Sequence, residues 1–431
     1  MSIENIITDL FNIEAERIQK IDSIAQSDGS IRLKIQLIPD EINCRYCNCR
    51  VKFHEYSQRI LTHSTLANRK CTIYYNQRRY ICKECNVTYK ESNPFINTSE
   101  SLTIETKINV LKDLKYVNET YTSVARRYNL TITKIQRIFD RHVNIVRKSL
   151  PKVLSIDEHY FPESSYDSLY CCLLMNFETG ELLDVLPDRK KEYMISYFGN
   201  IKNSTFNYKD GTSELNNVEY ISIDLYEPYR QVAKTYFPHA HICADPFHVL
   251  KHLNEGFKRI RLKCRRNTKD ENLQYLLIKF KFIFNHGINL DNEAKFNRRF
   301  QRYMNYRDMI EILFSSFPEL KKAYELKEGY IYFNSTSNAR NANDRLIEQI
   351  RIFADSNIAE YDEFYNLMVN WDQEIVNSFF IVNNRRINNS YIESRNSMIE
   401  KLIYNANGFS NFKRTRNRIL YCINKKDSYT I

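Results

Sequence analysis

The stretches V-L-S-I-D-E, Val153–Glu158, and V-E-Y-I-S-I-D, Val218–Asp224, decide how this chain is read. Each is a short apolar run rich in β-branched residues that stops at an aspartate, as a buried strand ending at a cleft does. Alternation puts Val153, Ser155 and Asp157 on one face of the first strand and Leu154 and Ile156 on the other. Asp224 has the same setting on its own strand. Between them, N-F-E-T-G-E marks a hairpin, with Gly180 at the turn joining Cys171–Phe177 to Leu182–Leu186. A helix over Lys190–Phe198 precedes the second aspartate strand; a helix over Pro228–Tyr236 and a strand, H-I-C-A-D, ending at Asp245 follow it. Three antiparallel strands continued by alternating helices and strands predict an α/β sheet of mixed direction.

Far downstream, S-Y-I-E-S-R-N-S-M-I-E-K-L-I reads as a helix. Ile392, Ile399, Leu402 and Ile403 make its apolar stripe, while Asn389, Glu393, Asn396 and Glu400 line a polar one. Asp157, Asp224 and Glu393 thus come from three elements. If they meet, they could hold two Mg²⁺ (or Mn²⁺) ions about 3.5–4 Å apart against a phosphodiester. Glu158, Asp245 and Glu400 compete for the same roles. Asp245 opens D-P-F-H-V, with His248 one helical turn away; that pair could position groups, move a proton, or cap the following helix.

The formal charge of +11 is moderate, but the basic residues cluster: Lys258-Arg259, Arg261, Lys263 and Arg265-Arg266 in one run, Lys413-Arg414, Arg416 and Arg418 in another. Such runs suit a polyanion. Four of the eleven cysteines form two C-x-x-C pairs, Cys44/Cys47 and Cys82/Cys85, which together make a four-thiolate structural Zn²⁺ site. Cys49, His54, His63 and Cys71 are possible substitute ligands, and Arg78 and Arg79 would present charge to DNA beside the metal. The segment Tyr121–Asp140 fits two helices about a tight turn, Asn129 tolerating the left-handed conformation there. Thr131, Thr133, Lys134, Gln136 and Arg137 would face outward toward bases and phosphates.

No run of eighteen or more apolar residues occurs and no basic, apolar leader opens the chain, so a cytoplasmic protein without a membrane partner is expected. The expected organisation is an N-terminal helix and strand (1–39), a zinc-binding β-rich module (40–97), an all-α helix-turn-helix domain (101–149), the first part of a catalytic core (151–260), a helical insertion (261–385), and a final core helix with a basic tail (386–424).

From the zinc module to about Ile423 the chain resembles an insertion-sequence transposase of the ISL-three family. The two cysteine pairs, R-R-Y-I-C-K-E-C, the helix-turn-helix, S-I-D-E, L-L-D-V-L-P-D-R, S-I-D-L-Y-E-P-Y, A-D-P-F-H-V, P-E-L-K-K-A-Y-E-L-K-E, N-N-S-Y-I-E-S-R-N and G-F-S-N-F-K-R-T-R-N-R-I-L carry the likeness. The resemblance implies an RNase H-like core with a helical insertion before the last acidic residue. It also implies metal-binding carboxylates at Asp157, Asp224 and Glu393, favouring Asp224 over Asp245. The implied function is a DNA transposase of the bacterial cytoplasm, nucleoid-associated. It would bind terminal inverted repeats through Lys413, Arg414, Arg416 and the residues named above, and work as a homodimer that cleaves and transfers strands into target DNA. A transposase-derived DNA-binding regulator without catalysis, or a structure-specific nuclease, are the alternatives.

Overall fold

The computed structural model describes residues 13–66, 69–97, 100–161, 169–204, 213–406, 411–426 and 428–431. The expected N-terminal helix rests on Ile6, Leu10, Phe11 and Ile13; the first three lie outside the described residues, and Ile13 is buried in a bend. The chain divides into two compact units, Met1–Val146 with Ser397–Ile431, and Arg147–Asn396.

In the first unit, β1 (Ile18–Ala25) and β2 (Ile31–Leu37) form an antiparallel pair, and β3 (Lys52–Leu66) and β4 (Arg69–Ile81) form a second. β2 runs parallel to β4, and β5 (Thr88–Lys90) adds to the end of β4. Where one strand was expected before residue 35, there are two. The signal is D-G-S at 28–30: Gly29 takes φ +80°, and the Asp28 carboxylate accepts from the Ser30 amide, closing the turn. Leu33, Ile35, Leu61, Ile73 and Tyr75 fill the face beneath.

Three helices follow: α1 (Ile104–Asp113), α2 (Tyr121–Tyr128) and α3 (Ile132–His142). Thr120 and Ser123 cap α2 reciprocally, and Asn129 ends it at φ 58°, ψ 38°, the left-handed turn expected of it. The helix Phe412–Ile423 joins this group: Tyr421 packs edge-on against Phe139 and its hydroxyl donates to the Leu111 carbonyl at 2.9 Å. The expected final core segment, 386–424, is therefore shared between the units, dividing after Asn396, because Arg418 and Tyr421 are buried on α1–α3.

The second unit is built on a five-stranded sheet of β6 (Val153–Tyr160), β7 (Tyr170–Asn176), β8 (Leu182–Leu186), β9 (Tyr220–Ile223) and β10 (His241–Ala244), in the order β10-β9-β6-β7-β8. β6, β7 and β8 are antiparallel; β9 and β10 run parallel to β6. Leu154, Ile156, Leu174 and Ile221 bury one face beneath α4 (Lys191–Lys202) and α5 (Glu227–Tyr236). After β10 comes α6 (Pro246–Asn267), then a helical stretch to Asn377. That stretch also holds a small hairpin, Lys295–Asn297 with Arg302–Met304, too short to leave a periodic signal.

Candidate functional site

Two parallel neighbours, β6 and β9, bring their acids together. Asp157 lies late in β6 and Asp224 follows the last residue of β9, so both carboxylates emerge at the same side of the sheet. β10 delivers a third, Asp245, which ends the strand and begins α6. One Asp245 oxygen accepts from the Phe247 amide at 3.4 Å, capping the helix. The first turn of α6 then swings His248 back, placing its Nε2 3.2 Å from Asp224 and 4.0 Å from Asp245.

Ligand atoms of Asp157, Asp224 and His248 all lie within 4.8 Å of one another, so this trio could hold a metal ion. Glu393 does not belong to that group. It is half-buried on the Ser390–Ala406 helix, between two side chains that do reach the acids. Asn396 Nδ2 donates to Asp157 at 3.0 Å, and Asn389 Nδ2 donates to the Ile156 carbonyl at 3.3 Å and faces Asp224 at 3.5 Å. The Asn389 amide donates to Asp245 at 3.3 Å. Both asparagines belong to the polar stripe visible in the sequence, yet only their spacing from Glu393 hinted at a role. Glu158 is held by Arg189, whose guanidinium lies over Tyr170 and Tyr226, and Glu400 is exposed.

The electrostatics are those of clustered, buried acids. Burial raises the pKa of Asp157 and of Asp224, the latter further because the Asp157 charge adds to it. Burial pushes Asp245 up to about 6 and raises Glu393 as well. Among the described residues, the second oxygen of Asp245 is buried without a hydrogen bond. Burial holds His248 down at about 4, so its ring is neutral at physiological pH and keeps a lone pair for a proton or a metal. The clustered hard carboxylate oxygens are donors that suit Mg²⁺ or Mn²⁺, whereas a neutral imidazole beside them is a donor better matched to softer divalent ions.

In the first unit, Cys44, Cys47, Cys82 and Cys85 converge with their sulfurs within 4.8 Å and could hold a zinc ion. The two turns are built alike: Asn48 and Asn86 sit at positive φ, and each donates its amide to the carbonyl of the pair's first cysteine, both at 2.9 Å. The Tyr89 hydroxyl donates to Cys44 Sγ at 3.2 Å and lowers that thiol to about 6. The substitute ligands fall away: Cys49 is exposed outside the cluster, Cys71 is buried in the sheet, and His63 bonds Thr103.

Arg78 corrects an expectation. It is 4% exposed, ion-paired with Glu91 at 2.7 Å and bonded to the Leu37 carbonyl, so it cannot offer charge to DNA. Its neighbour Arg79 is only partly buried, against Glu55. On α3, Thr133 and Arg137 are exposed, Lys134 and Gln136 half-buried, and Thr131 caps the helix. Lys413 is exposed, whereas Arg414 pairs with Asp140 and Arg416 donates to the Ile145 carbonyl.

A model of the ISL-three transposase family, described as a transposase, matches residues 154–419. No curated protein matches the chain.

Proposed function

The chain belongs to the ISL-three family of transposases, and from that premise we propose that it cuts and rejoins DNA at the terminal inverted repeats of its own insertion element. The observation that carries the reading is the meeting of Asp157, Asp224 and His248 at the ends of adjacent parallel strands. The strand order β10-β9-β6-β7-β8, three antiparallel strands followed by two parallel ones, supports an RNase H-like core.

Asp157 and Asp224 would hold the divalent ions, Mg²⁺ or Mn²⁺, with Glu393 from the helix as the third carboxylate that the family resemblance implies. Bound there, such ions would supply activation of a water and neutralisation of charge on the phosphate. The protein's own part is preorganisation. Asn396 fixes the Asp157 carboxylate, Asn389 ties Asp245 to the backbone beside Asp157, and His248 orients Asp224. Water attacks phosphorus and the bond to the 3′ oxygen breaks, leaving a 3′-hydroxyl and a 5′-phosphate. The hydroxyl then attacks a target phosphodiester, and the target's own 3′ oxygen leaves.

Membership in the family implies DNA as the partner. The α2–α3 pair works as a helix-turn-helix, reading the repeat through Thr131, Thr133, Lys134, Gln136 and Arg137. Arg79, Lys413, Arg414 and Arg416 are its phosphate contacts, the last two after exchanging their present partners. Zinc at the four cysteines is structural, since four protein ligands leave no open position. Pairing two ends calls for a homodimer. The test is Mg²⁺-dependent cleavage of a duplex carrying the element's own ends. Asp157→Asn, Asp224→Asn and Glu393→Gln should each abolish cleavage and leave end binding intact; cleavage retained by any one removes that residue from the site. Specific binding without cleavage by the unmodified protein would instead identify a regulator.

A further inference from the structure

Phe247 places an aromatic ring at the surface beside the acids. It is 55% exposed, yet it sits between Asp245, the buried cap of α6, and His248, whose ring reaches Asp224. Lone exposed apolar residues are ordinary on protein surfaces. This one stands beside the acids: its backbone amide donates to Asp245 at 3.4 Å, and its ring is edge-on to His248, 5.6 Å away at 82°. The side chain thus lies next to the residue whose ring reaches Asp224. Lys251, one turn further along α6 on the same face, is exposed as well. An aromatic platform followed by a cation is how proteins hold an unpaired nucleotide: the ring stacks on the base and the ammonium meets the phosphate.

We propose that Phe247 stacks on an unpaired base beside the scissile phosphate, with Lys251 meeting the next phosphate of that strand. This rests on the transposase reading above, because it needs DNA at the carboxylates. It adds that the bound DNA is opened at the cleavage step rather than held as intact duplex.

The experiment is a set of double-mutant cycles on the full-length protein. The probes are duplexes of the element's end that lack one base at a time across the mapped cleavage position, with binding measured in Ca²⁺ and cleavage in Mg²⁺. On the intact duplex, Phe247→Ala should weaken binding or slow cleavage by about 5- to 150-fold, the range that base–aromatic stacking gives. Phe247→Trp should stay near the unmodified protein. At one position the missing base should erase the cost of Phe247→Ala. The inference is overturned if Phe247→Ala, with unchanged thermal stability, matches the unmodified protein, or if its cost is the same whichever base is missing. Coupling seen in Ca²⁺ without cleavage in Mg²⁺ would retain the stacking and reject the transposase chemistry. Cleavage without coupling would do the reverse.

Discussion

Asp224 owes its character to its surroundings. Its pKa is raised by burial first and by the Asp157 charge second, from an ordinary 3.8 to about 9. A carboxyl whose folded pKa lies above its unfolded one favours the protonated form. Its penalty is therefore absent below about pH 4 and grows as pH rises through the folded value. The metal-free protein should lose stability between those limits. Asp224→Asn removes that cost, so it should abolish cleavage and yet raise the melting temperature at pH 8, by about 2–4 °C for each kcal/mol relieved. Mg²⁺ should stabilise the unmodified protein at the same pH and leave an Asp157→Asn, Asp224→Asn double variant unmoved. A lower melting temperature for Asp224→Asn would contradict this view of the site. Arg78 makes the opposite point about charge. Removing it strands Glu91 in the sheet, and breaking such a buried pair costs about 3–5 kcal/mol. Arg78→Ala should therefore unfold this part of the protein in thermal melts, whereas Arg79→Ala should change stability by less than about 1 kcal/mol and act on DNA affinity alone.

At the scale of elements, the proposed recognition helix α3 exposes Thr133 and Arg137 and half-buries Lys134 and Gln136. Arg137→Ala should weaken end binding similarly across sequences and reduce the salt slope by about one, as loss of a phosphate contact does; loss of Thr133 should instead relax specificity at one position. Titrations at several salt concentrations separate the two. Much of this scale was legible in the sequence. The β-branched runs marked β6 and β9, Gly180 marked the β7–β8 turn, and Asn129 marked the left-handed end of α2. What stayed hidden was set by contacts between distant segments. D-P-F-H can cap a helix or serve a site; Asp245 caps α6, and His248 reaches Asp224, a contact that nothing short of the β9–β10 pairing sets. In the sequence Arg78 and Arg79 read together as outward charges. Adjacent strand residues point to opposite faces, so one of the two had to turn inward. That rule was available, but which residue turns inward depends on the register with β3. The two cysteine turns were legible as a pair from Cys-x-x-Cys alone; that an asparagine at positive φ follows each pair emerges from the structure. A chelator should accordingly unfold the first unit while the second unit's melting transition remains.

At the scale of the molecule, the cysteine cluster and the α2–α3 pair lie in one compact unit and the carboxylates in the other. The first unit is completed only by the end of the chain. Tyr421 closes on Phe139 and Leu111, and Arg418 donates to the Glu119 carbonyl at 2.7 Å, satisfying the turn that leads into α2. A fragment that stops at Val146 keeps every proposed base-reading residue but lacks this packing. Tyr421→Ala should cost about 3–5 kcal/mol, as truncating a large buried aromatic does. It should weaken end binding although Tyr421 touches no DNA, and Tyr421→Phe, which keeps the ring, should recover most of the loss. Deleting 411–431 should abolish end binding and leave the Mg²⁺-dependent stabilisation of the second unit in place. If instead the deleted chain binds ends with unchanged affinity, the C-terminal helix is not part of the recognition unit. The proposed division of labour, with both termini of the chain building the reader and its middle building the catalyst, would then fall.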